Sequence, residues 1–376
     1  MRSATRVVWF AVGCALLGAC SDDRPDEASS LSSSSPAGSG AQGSGAASGT
    51  AGTATGGGGA AAGSGAGGSA SGGAAAGGSG GGGSGNAAPD PNEDGPYTFV
   101  ELDTATTVAA TGHEVPIHCA YPDGGPSAGP YPVVVVAHGF QLPAAQYHGY
   151  VRRLATFGYV ALTADYPAAA FGVNNVDNAQ DLSGALDWAA AASELDGVAD
   201  VDTAGMSGHS MGGKLALLAA KSDARVKAVI TLDPVDGAMG CNPTDCPDVS
   251  ALMPLDVPTG FLGEITDASG GFQPCAPAAD NFQTFYAGTT APSLAVTVAG
   301  ANHMSFLDDV STCGFVCSFC QPASAANDVV VALSKAYLVA FYERHLRGDA
   351  DYDTYLTGAE AKKRYVDSGL ATLESK

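Results

Sequence analysis

The chain has 376 residues, 45% hydrophobic and 14% charged, with 16 Lys+Arg against 38 Asp+Glu and a formal net charge of −22. This acid excess excludes nucleic acid as a partner and electrostatic docking on anionic lipid, since both ligands carry the same sign of charge. The 52 glycines are far more than one ordinary domain uses and point to a long segment without a core.

The first 19 residues read as an export signal. Arg2 and Arg6 flank the start of an apolar core from Val7 to Leu17, which is too short to span a bilayer. Its end, Leu17-Gly18-Ala19-Cys20, resembles the lipobox of bacterial lipoproteins. That resemblance implies cleavage before Cys20, lipidation of Cys20 and membrane attachment through it. The plain alternative is a secretory signal with a chance cysteine, and either reading exports the protein, to the cell envelope or beyond it. From Ala28 to Ala88 no residue is charged and almost all are Gly, Ser, Ala or Thr. Such a segment cannot bury enough apolar surface to offset its chain entropy. Residues 20–95 are therefore expected as a disordered tether, with an r.m.s. span of about 45 Å. The folded domain is expected over 96–376, with 13 Lys+Arg and 31 Asp+Glu for a net −18.

Within the domain, Phe99 to Val108 and His113 to Ala120 read as a hairpin around Gly112. Val133 to Ala137 is an unbroken apolar run, the pattern of a strand covered on both faces, and it ends at His138-Gly139-Phe140. Ala144 to Phe157 reads as a helix, Tyr159 to Ala164 as a buried strand and Asn178 to Ala192 as a second helix. Further strands are expected at Asp202 to Ser207, Val226 to Leu232, Val257 to Gly263 and Leu294 to Ala299, and a long terminal helix at Val329 to Leu346. Strands alternating with helices predict an α/β fold, a mostly parallel central sheet with helices on both faces. Its active site is expected at the carboxyl ends of the strands.

One motif organises this pattern. Gly208-His209-Ser210-Met211-Gly212 sits between a strand and the helix-forming run Gly213 to Lys221, the setting of a nucleophile elbow. Gly77-Gly78-Ser79-Gly80-Gly81 fits the same pattern but lies in the Gly/Ser tract and carries no chemistry. A serine hydroxyl needs a base, and the base needs a carboxylate to orient it, in the chain order Ser, acid, His. His303 follows the last parallel strand in the loop Gly300-Ala301-Asn302-His303 and is the expected base. His113, His118 and His148 belong to the hairpin and an early helix, and His209 to the turn itself. Three acids compete: Asp233, held extended by Pro234 after the strand beside the elbow, and Glu264 or Asp267 after the next one. The oxyanion donors are expected to be the N–H groups of Met211 and Phe140. No metal or organic cofactor is called for.

Cys14 leaves with the signal. Cys119, Cys241, Cys246, Cys275, Cys313, Cys317 and Cys320 remain beside Cys20, an odd number that leaves at least one thiol unpaired. Cys313-x-x-x-Cys317-x-x-Cys320 has the spacing of an iron–sulfur motif, but in an exported chain a disulfide loop is the expected use.

His138-Gly139-Phe140, Gly208 to Gly213, Leu232-Asp233-Pro234-Val235-Asp236-Gly237, Cys275-Ala276-Pro277 and His303 with Phe306 to Asp309 together resemble the plant-type chlorophyllases, a branch of the α/β-hydrolases. The resemblance runs from about Tyr131 to Asp309 and implies Ser210 as nucleophile, Asp233 as acid and His303 as base. The Ser210-to-Asp233 spacing is also similar to that of platelet-activating-factor acetylhydrolases, and the HGF loop and SMGG elbow to bacterial polyester hydrolases and cutinases. Met211 stands where plant chlorophyllases usually carry arginine. The shared chemistry these resemblances imply is hydrolysis of a carboxylic ester. The substrate is expected to be a small-molecule, lipid or polymer ester, and the protein a monomer. The competing expectation is a non-catalytic surface-binding module on the same scaffold.

Overall fold

The computed structural model describes residues 88–168, 173–237, 241–270 and 274–376. The leader, Cys20 and the tether up to residue 87 lie outside these residues. Residues 88–95, placed by composition at the end of the tether, are pinned to the domain. The Asp90 carboxylate accepts two hydrogen bonds from Arg364, both 2.8 Å, and the Gly95 N–H donates to Thr156 Oγ1 at 3.0 Å.

The strands are β1 (Thr98–Thr107), β2 (Glu114–Gly124), β3 (Tyr131–Ala137), β4 (Val160–Ala164), β5 (Ala199–His209), β6 (Val226–Leu232), β7 (Thr259–Gly263), β8 (Ser293–Val298) and β9 (Ala371–Ser375). They form one sheet in the order β1-β2-β4-β3-β5-β6-β7-β8-β9. The six strands from β4 to β8 pair in parallel; β1, β2 and β9 join antiparallel at the edges. Such an all-parallel centre must be covered on both sides, and Val133 to Val136 show how. Val134 and Val136 pack with Ala161, Ile230 and Val296 under helices α1 (His148–Thr156) and α5 (Asn327–His345). Val133 and Val135 pack with Leu162, Met206 and Phe261 under α2 (Asn175–Ala191), α3 (Met211–Ser222) and the short α4 (Phe282–Ala287).

The differences from the sequence reading have local causes. The expected helix from Ala144 is a 3-10 turn, Ala144–Tyr147, followed by α1. Tyr147 leaves helical geometry between them at φ −123° and ψ 3°. Helix α2 begins three residues early because the Asn174 side chain caps the N–H groups of Val176 and Asp177. Strand β9 carries no continuous apolar run because it is an edge strand with only Ala371 fully buried. Helix α4, six residues long, is too short for a helical period to show.

Among the described residues the cysteines pair as Cys241–Cys246, Cys275–Cys320 and Cys313–Cys317. Cys119 is the unpaired thiol, buried in β2, and burial pushes it up to about 12. No helix among the described residues is long and apolar enough to cross a membrane.

Candidate active site

The elbow is a steric necessity. Ser210 stands between β5 and α3 at φ 56° and ψ −123°, a strained conformation for a residue with a Cβ. A Cβ at Gly208 would lie 2.3 Å from the Gly212 carbonyl oxygen, and one at Gly212 2.4 Å from that of His138. Neither position accepts any other residue, which is why this motif and not its neighbours surrounds the serine. The Ser210 N–H donates to the Leu232 carbonyl at 3.1 Å, and the Ser210 carbonyl accepts the N–H groups of Gly213 and Val235. The turn is thereby sewn to the chain just before and after Asp233.

Ser210, His303 and Asp233 come together. The Ser210 Oγ–H donates to His303 Nε2 at 2.8 Å, and His303 Nδ1–H donates to Asp233 Oδ2 at 2.6 Å. His303 is 3% exposed and Asp233 fully buried. His303 opens a 3-10 turn whose cap is a reciprocal pair, Ser305 with Asn302. Contrary to the extended backbone expected before Pro234, Asp233 is left-handed and strained, φ 44°. Its N–H donates to the Leu262 carbonyl, and its second oxygen, Oδ1, accepts the Glu264 N–H at 3.2 Å.

The other two acids lie beside this line and not on it. Asp267 Oδ2 accepts the His303 main-chain N–H at 2.8 Å, and Oδ1 accepts the Gln321 N–H at 2.7 Å. Glu264 Oε2 accepts the Asp267 N–H at 2.9 Å. Burial, and then the charge on Asp233, push the Glu264 carboxyl from 4.5 up to about 9. Burial also raises Asp233, while the hydrogen bond and charge of His303 pull it back down. A carboxyl oxygen each from Asp233 and Glu264 and a ring nitrogen of His303 lie within 4.8 Å of one another, the one all-buried donor set of this kind among the described residues. The Asp233–His303 bond already occupies two of those groups.

At the serine end stand Met211 and the Gly139-Phe140 loop. Met211 is the first residue of α3, so its N–H has no carbonyl one turn earlier in the helix. A twelve-residue helix adds positive potential there. A Cβ at Gly139 would lie 3.4 Å from the Ser210 Cβ, so the half-buried Phe140 follows directly beside the serine.

Two supports gave no sequence signal. The Gly139 N–H donates to Tyr147 Oη at 3.2 Å, Tyr147 O–H donates to His209 Nδ1 at 2.8 Å, and His209 Nε2–H donates to the His303 carbonyl at 2.8 Å. This chain joins the loop before Phe140 to the main chain of His303. Burial, and then the neighbouring His303, hold His209 well below its ordinary value, so it stays a neutral linker. Lys214, fully buried in α3, pairs with Asp236 at 3.0 Å, and Asp236 accepts the N–H groups of Val249 and Ser250. That ion pair fixes the turn after Asp233. Only its Asp half lies in a segment the sequence singles out.

A parallel sheet with a strained serine at the end of a central strand and a histidine and an acid on later loops defines an α/β-hydrolase. A family description for chlorophyllases matches residues 91–364, and the chain belongs to that family. Chlorophyllase-2 of Arabidopsis thaliana is 27% identical over 199 residues, 48% of this chain and 62% of the relative. The match thus spans less than two thirds of that protein. Chlorophyllase-1 of the same plant is 27% identical over 242 residues, 59% of this chain and 74% of the relative. The family places the domain among the α/β-hydrolases.

Proposed function

We propose that the domain is a serine-dependent carboxylic ester hydrolase that works through an acyl-enzyme. The observation that carries this reading is the continuous hydrogen-bonded line from Ser210 through His303 to Asp233. In the proposed cycle Ser210 Oγ attacks the ester carbonyl while His303 Nε2 takes its proton. The proton passes to the departing alcohol, and water, activated by the same imidazole, releases the acid. Asp233 holds the tautomer with its proton on Nδ1 and stabilises the imidazolium. The N–H groups of Phe140 and Met211 receive the oxyanion. All of these groups belong to the chain itself.

The names of the relatives put chlorophyll among the esters to assay, together with lipid and polyester substrates. A fluorophosphonate probe tests the chemistry: labelling of the wild type, none of Ser210→Ala, and a loss of about 10⁴-fold or more in ester turnover by that variant. A folded Ser210→Ala variant with more than a tenth of wild-type turnover rejects the nucleophile. A wild type that binds ester surfaces without labelling or turnover returns the scaffold to a binding role. The domain is further proposed to work outside the cytoplasm, on a flexible tether lipidated at Cys20. Cys20→Ser is expected to move the protein from the membrane to the soluble fraction, and unchanged fractionation removes the anchor from the proposal.

A further inference from the structure

Glu264 is not needed by the line of groups just described, yet it is built into it. It follows β7 directly, is fully buried, and sends its own N–H to Asp233 Oδ1. Of its two carboxyl oxygens, Oε2 accepts from the Asp267 main chain, while Oε1 is buried with no hydrogen-bond partner among the described residues. An unpaired buried polar atom costs about 1–3 kcal/mol, so a site that serves packing alone gains nothing by keeping it. The charged or titratable groups facing it are Asp233 at the end of β6, Asp267 on its own loop and His303 on the loop after β8.

We infer that Glu264 is a reserve acid, a positioning residue whose carboxyl takes over the orientation of His303 when residue 233 carries no charge. The inference rests on the serine-hydrolase reading above. Two carboxylates this close resist ionising together, so beside an ionised Asp233 the Glu264 carboxyl keeps its proton at neutral pH. Removing the charge at 233 removes the second of the two largest causes that hold this proton on. The carboxyl then ionises at lower pH, and one of its oxygens lies within 4.8 Å of a ring nitrogen of His303.

The test is a double-mutant cycle on the full chain with a soluble nitrophenyl ester, using Asp233→Asn, Glu264→Gln and the pair. Alone, Glu264→Gln is expected to cost about two- to threefold; in the Asp233→Asn background it is expected to cost at least about tenfold more. This coupling is the signature of groups that substitute for one another. A structural role for Glu264 does not change the pH profile, so that profile is the second readout. Turnover by Asp233→Asn is expected to rise with pH through an ionisation below 9 that is missing from the double variant. If Asp233→Asn fails to fold by circular dichroism, Asp233→Ser takes its place in the cycle. Equal rates and matching pH profiles for the single and double variants overturn the inference. An inert Ser210→Ala in the same assay confines that failure to Glu264, whereas an active Ser210→Ala sinks the underlying reading instead.

Discussion

Around Ser210 the constraints are local, whereas around His303 they arrive from separate parts of the chain. The serine's geometry follows from two glycines within two residues of it, each facing backbone oxygen at less than 2.5 Å from where a Cβ would sit. His303 lies 70 residues from Asp233 and 93 from Ser210. Its main chain is held by Asp267 on one side and His209 on the other. Asn302 donates to the Gln321 carbonyl, and the Cys275–Cys320 bridge ties that segment back to the loop after β7. A nucleophile that must be strained is best built by sterics over a few residues. A base that must meet both a serine and an acid from different strands has to be positioned by tertiary bonds. Damage on the first side should therefore be steep and specific to a few residues, and damage on the second graded by what each bond touches.

Replacing the proposed acid gives the largest expected effect on the histidine side. Asp233→Asn is expected to lower kcat near pH 7 by at least about 10³-fold, because it presents a donor to Nδ1 and reverses the tautomer. Asp267→Asn, which leaves the imidazole's partner in place and weakens only the main-chain clamp, is expected to cost about tenfold in the same steady-state assay. The reverse ordering moves the acid to the loop after β7 and breaks the comparison at its centre. On the serine side, Gly212→Ala forces a Cβ against two carbonyl groups of the β3 loop. Displacing the elbow by a fraction of an ångström is expected to cost about 10²-fold in kcat/KM and to lower the melting temperature. A variant with wild-type kinetics shows that the local constraint is softer than its geometry. The smallest effect belongs to the chain that joins the two sides. Tyr147→Phe leaves His209 Nδ1 and the Gly139 N–H without their partner and is expected to cost about 1–3 kcal/mol of stability in chemical denaturation. Its expected effect on kcat is about three- to tenfold. An unchanged kcat with lowered stability confines Tyr147 to structure.

Much of this was legible before the fold was known. Glycine at 208 and 212, a strand before them and helix formers after them mark the elbow because all its constraints act within a few residues. The alternating buried runs give the parallel sheet for the same reason, and the place of His303 follows from strand order. The cysteine run from 313 to 320 reads as a disulfide loop, but its pairing does not, because Cys320 bonds to Cys275, 45 residues away, and not to its neighbours.

The choice among Asp233, Glu264 and Asp267 belongs to the tertiary structure. All three follow adjacent parallel strands, so spacing places each of them at the mouth of the same crevice. The register of β6 on β7, which sets Leu232 opposite Leu262, and the left-handed backbone of Asp233 send one carboxylate to the imidazole. The same register leaves Asp267 to the main chain of His303 and Glu264 with an oxygen unpaired. Tyr147 and Lys214 are silent in the sequence for a related reason. A hydroxyl or an ammonium acquires a role only from the group that the fold brings within about 3 Å of it, and that distance is set by packing across the sheet, not by neighbours in the chain.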